Sequence, residues 1–135
     1  MRERLALLAL TLSLAVGGAA HAETTTQAVR VTMSQPAPLM VETGVRADCS
    51  QGQVPESRVV VEPMHGTLAV RQGRLRRQGE SCPPAIGYVV VYIPEPDFTG
   101  RDEVALEVVG ADGVTLRVFE ITVGSDALPE GVNAS

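Results

Sequence analysis

Tyr88-Val89-Val90-Val91-Tyr92-Ile93, closed by Pro94 and Pro96, is the most strongly β-prone run in the chain. β-Branched and aromatic side chains crowd a helical turn but pack well on a pleated surface. The run predicts a central strand. The prolines predict its end, because they cannot donate to a ladder.

Strand signals continue on both sides. Val29, Val31 and Met33 alternate with Arg30 and Thr32, the period-2 pattern of a half-buried strand. Pro36 and Pro38 interrupt, and residues 39–45 form a second candidate before a polar, turn-rich loop over 46–57. Val59, Val60 and Val61 open the next strand, stopped by Pro63 and a turn at His65-Gly66. Residues 67–70 and 74–78 flank Gln72-Gly73 and predict a hairpin. Residues 81–87 are irregular, 103–109 alternate, Ala111-Asp112-Gly113 is a turn, and 114–123 is the last strand. The apolar phase of that strand slips at Val118-Phe119, as a β-bulge or burial on both faces would produce. Seven or eight short strands with no amphipathic helix predict an all-β domain, a sandwich more readily than a barrel.

The N-terminus sets the expected compartment. Arg2 and Arg4 are basic, Leu5 to Val16 is apolar apart from Thr11 and Ser13, and Ala20-His21-Ala22 fits a small-x-small cleavage site. These parts in this order predict a secretory signal peptide over 1–22. Its core of about a dozen residues falls short of the ~20 that span a bilayer, so no membrane insertion is expected after cleavage. Residues 23–123 are then one domain and 124–135 a mobile tail, in a periplasmic or secreted product. Cys49 and Cys82 are the only cysteines, and in an oxidising compartment they predict a disulfide.

Without the leader, 9 arginines face 15 carboxylates, a balance of −6, and there is no lysine. That acidity argues against nucleic acid as a partner. The one basic cluster, Arg71, Arg74, Arg76 and Arg77, reads as a solvated hairpin or as a docking patch for an acidic partner.

From Val59 onward a family resemblance enters. Pro63-Met64-His65-Gly66-Thr67 is similar to the P-x-H-G-T segment of bacterial cadherin-like and Ig-like repeats. Tyr92-Ile93-Pro94 through Phe98, Gly100 and Asp102 resembles their Y-x-P-x-x-x-F-x-G-x-D segment. The resemblance covers roughly residues 59–123 and implies an Ig-like Greek-key β-sandwich, here in a single copy. The chain departs from the pattern in its cysteine-bearing loop and in residues 79–87. The motif residues also have physical reasons to be structural. Gly66 and Gly100 suit positive φ or close backbone approach, and Phe98 suits the plug at one end of a sandwich. Asp102 is placed to accept backbone N–H bonds in its turn, and His65 to be hydrogen-bonded within its own.

Little chemistry is on offer. His65 is the sole histidine after cleavage, no G-x-S-x-G turn exists, and both cysteines are expected to be oxidised, so no enzyme is expected. No cofactor or metal is expected either. The alternative is calcium on the loop acids Glu95, Asp97, Asp102, Glu103 and Asp112, or copper on Met64 and His65, with Met33 and Met40 better suited to a core. The leading expectation is a module that contacts an envelope protein, as an accessory or structural subunit. Alternatives are a small periplasmic metal- or ligand-binding protein and a strand-exchanging, fimbria-like subunit.

Overall fold

The computed structural model describes residues 23–125. The expected leader (1–22) and nearly all of the expected tail (126–135) lie outside the described residues. Seven strands follow one another: β1 (Glu23–Thr32), β2 (Ala37–Glu42), β3 (Glu56–Val61), β4 (Gly66–Leu75), β5 (Ala85–Pro94), β6 (Gly100–Gly110) and β7 (Gly113–Gly124). They form a four-stranded sheet in the order β1-β7-β6-β3 and a three-stranded sheet in the order β2-β5-β4. All pairings are antiparallel except β1 with β7. The domain is thus an all-β, two-sheet, sandwich-like arrangement, and Cys49 and Cys82 form its disulfide with Cα atoms 5.3 Å apart.

The core lies between the sheets. Leu39, Met40, Val90 and Tyr92 meet Val31, Val104, Leu106, Val108, Phe119, Ile121 and Val123. Tyr92 and Phe119 are the largest fully buried side chains, so in a chain with few aromatics the core centres on these two rings. Each such side chain contributes about 1.5–3 kcal/mol of transfer free energy. Residues 88–93 lie in the central strand of the three-stranded sheet, although β5 begins earlier, at Ala85.

Two expectations are corrected. Gln72-Gly73 is no hairpin turn: β4 continues through it as one ten-residue strand, with Gly73 opposite Gly87 in an unbroken ladder. The physical reason is β5, whose ladder with β4 reaches back to Ala85 and holds the glycine extended. The phase slip in β7 is not a bulge either, because the β6–β7 register runs without a shift from Gly100↔Val123 to Gly110↔Gly113. Instead Arg117 takes an inner-face position opposite Leu106, while Leu116 and Val118 lie half-buried on the outer face. The register shifts that do occur are in β2, between Pro38 and Met40, and in β3, between Val59 and Val61.

Arg117 is inward-facing because β2 supplies a counter-charge. Its Nη2 stands 3.1 Å from Oε1 of Glu42, whose side chain is 4% exposed, so the pair bridges the two sheets. The distance suits charge pairing, yet among the described residues that oxygen receives no hydrogen bond, and the buried hydroxyl of Thr43 likewise has no partner there. Tyr88 closes this end of the sandwich, donating its hydroxyl to the carbonyl of Pro55 at 2.8 Å.

Candidate functional site

At the opposite end, the motif residues converge on one carboxylate. Asp102 lies on the inner face of β6 and is only 8% exposed. Its Oδ1 accepts the backbone N–H groups of Met64 and Glu103, both at 2.9 Å. Its Oδ2 accepts the N–H of His65 at 2.9 Å and the Tyr92 hydroxyl at 2.8 Å. Four donors match the roughly four lone-pair sites of a carboxylate. Burial alone would raise this carboxyl's pKa; the N–H of Met64, the Tyr92 hydroxyl and the N–H groups of His65 and Glu103 outweigh burial and hold it below the ordinary value. The Tyr92 hydroxyl is pushed up, first by burial and then by its bond to Asp102.

The neighbouring residues complete a clasp over the β3–β4 connection. The carbonyl of His65 accepts the Glu95 N–H at 2.9 Å and lies 3.3 Å from the Tyr92 hydroxyl. The His65 ring stacks on Phe98, with centroids 4.3 Å apart and planes 11° from parallel. Phe98 in turn packs partly buried against the core. Gly66 opens β4 opposite the buried Pro94, and a Cβ there would stand 2.6 Å from the carbonyl oxygen of Ile93. Gly100 has φ +137°, which favours glycine. Pro63 is half-buried in the same connection. Asp102 therefore does more than was expected of it: only Glu103 is local, and the other N–H groups come from a segment 37 and 38 residues away. An anion whose lone pairs are filled by fixed donors ties backbone together and is a poor proton acceptor.

The alternative metal set is not brought together. Asp112 occupies the β6–β7 turn, at the other end of an 11-residue strand from Asp102, on the order of 30 Å away. Asp97 is exposed in the β5–β6 loop, and its N–H donates to the Ser34 hydroxyl at 3.0 Å. Met64 is 82% exposed, whereas Met40 is in the core and Met33 packs against it. Among the described residues no group of three or more His, Cys, Asp or Glu side chains could hold a metal ion.

Beside the clasp, the outer face of the four-stranded sheet carries an open depression of about 710 Å³, with Val61, Glu62, Met64, Arg101, Glu103 and Glu120 in its lining. The arginine cluster lies elsewhere. Arg71 and Arg74 are on β4, whose far side is a free edge, and Arg76 and Arg77 follow its end. Arg77 pairs with Glu80 at 2.9 Å.

Sequence reasoning did not anticipate the open flank beside that edge. Val59 is opposite Leu106 and Val70 opposite Val90, partners that are each 1% exposed, so register places both valines on inner faces. Yet Val59 is 40% exposed and Val70 61%, and Ile86, on the same face of β5, is 62% exposed. Among the described residues the sandwich is therefore unfilled along its β3/β4 side. Three successive valines in β3, without alternation, were the available signal.

No family model matches this chain, and no curated protein matches it. Among solved structures, the solution structure of amebosin is similar, at 9% identity and a TM-score of 0.45, over 77% of this chain and 99% of that one.

Proposed function

We propose that this chain is a single-copy, exported Ig-like domain that works by protein–protein contact, as an accessory or structural subunit of a bacterial cell envelope, and not as an enzyme. The observation that carries the reading is the open β3/β4 flank, where inner-face apolar side chains stay in water. A stable monomer gains nothing from leaving them there, whereas a partner would bury them. The chain path supports a Greek-key, Ig-like sandwich: it crosses between sheets from β1 to β2, from β2 to β3, from β3 to β4 and from β5 to β6. The motif residues read as the framework of that sandwich, since the Asp102 carboxylate and the His65 ring are both engaged in holding loops.

The test is thermal unfolding of the oxidised full chain, as exported, together with its migration on a native gel of envelope extract. EDTA, followed by calcium, copper or zinc added singly, is expected to leave the midpoint unchanged, and the chain is expected to migrate within a larger complex. A rise of several degrees with one cation would replace this reading with metal binding.

A further inference from the structure

We infer that the free edge of β4 is a strand-addition site for an extended segment of a partner protein in which acidic and apolar residues are interleaved. The inference rests on the reading of the domain as a contact module, and it names the surface and the chemistry of the occupant.

Among the described residues four edges are available, and they differ. β2 is short and carries Pro38 and a register shift, which obstruct an added strand. β3 has six residues and a shift between Val59 and Val61. The outer half of β1 is exposed threonine, glutamate and glutamine, with no apolar surface to offer. β4 has ten residues, a ladder to β5 with no shift anywhere, and an unpaired far side. A regular backbone edge of that length presents its outward N–H and C=O groups at the spacing an incoming strand requires.

The side chains along this edge select what can add. Val70 is 61% exposed on the inner face, so an apolar residue placed opposite it would close the open flank beside Val59. Arg71, opposite Val89, projects from the outer face, while Arg74, opposite Ile86, projects from the inner one. Arginines thus stand on both sides of the edge, with Arg76 just beyond, in a molecule whose net charge is −5. A second copy of β4 paired about Arg71 or about Arg74 would set that arginine against itself, which disfavours self-pairing in those registers. Carboxylates opposite Arg71 and Arg74, with apolar residues on the inner face opposite Val70 and Gln72, match both the charge and the exposed apolar surface of this edge.

The probe is a capped octapeptide, TETVEVTV, which meets these positions in antiparallel register. It is titrated into the full chain while backbone amide signals and their hydrogen exchange are recorded. The expected result is half-saturation below about 1 mM, slowed exchange at alternate β4 amides, and no binding of the charge-reversed TKTVKVTV. R71E/R74E is expected to weaken TETVEVTV by about tenfold and to bind TKTVKVTV instead. V70T is expected to weaken it while leaving the charge preference intact. Absence of binding would overturn the inference, as would binding without protection of β4 amides. Equal competition by an oligonucleotide of the same charge would overturn it too, reducing the site to a cation patch. A native envelope complex that protects another face, with β4 still exchanging freely, would overturn this inference and leave the contact module standing.

Discussion

Exchanging one oxygen of Asp102 for an amide nitrogen turns an acceptor facing two donors, either Met64 and Glu103 or His65 and Tyr92, into a donor facing donors. Asp102→Asn is therefore expected to cost about 2–4 kcal/mol, measured by urea denaturation, because a buried hydrogen-bond set is left mismatched. The pH dependence follows from the depressed carboxyl. A group whose folded pKa lies below its unfolded value contributes fully above the ordinary pKa of 3.8 and loses that contribution as pH falls through the lower folded value. Wild type and Asp102→Asn should thus differ most near neutrality and converge in acid below about pH 4, which a pH series of denaturation curves will read. Gly66→Ala at the same clasp should also destabilise, by about 1–3 kcal/mol, since its Cβ would meet both the carbonyl of Ile93 and the Tyr92 ring. Sequence made Asp102 legible as an N–H acceptor from its place after a turn. It could not supply the partners, because Met64 and His65 reach it only through the crossing of the chain from β3 to β4.

At the scale of the elements, β7 shows why periodicity misleads at a charged inner position. Leu116 and Val118 were apolar on the wrong face only because Arg117 occupies the right one, held by Glu42 across the sheets. A local pattern cannot show a counter-charge contributed by a strand some 75 residues earlier. Arg117→Ala is expected to destabilise by roughly 2–4 kcal/mol, at the lower end for an arginine partly open to solvent, because it strands a buried carboxylate. The double variant Glu42→Leu with Arg117→Leu should recover most of that loss, and a double-mutant cycle in urea will show it. β4 teaches a related lesson. Gly73 looked like a turn residue, yet a glycine facing a glycine across a ladder leaves the backbone free to stay extended when its partner strand enforces it.

On the scale of the whole molecule, the strand count, the central strand and the disulfide were legible because each has a local signature. Which strands lie at the edges was not, since edges depend on sheet order. The disulfide closes a segment that contains all of β3 and β4, the two strands flanking the open side, and these belong to different sheets. The crosslink therefore restrains the part of the sandwich that packing holds least. Replacing both cysteines by alanine is expected to cost about 4 kcal/mol by the loop-entropy estimate. Amide exchange should quicken first in β3 and β4, ahead of β6 and β7, and native-state hydrogen exchange will test that order.

The proposed contact surface is the β3/β4 flank. Site-specific photo-crosslinking tests it most directly, with a photoreactive residue placed in turn at Val70, at Arg71 and, as controls on the opposite edge, at Thr24 and Thr26 of the full chain in living cells. The account predicts a discrete heteromeric adduct from Val70 and Arg71 and none from β1. Adducts from β1 alone, or none from any position while the chain remains folded and exported, would contradict it.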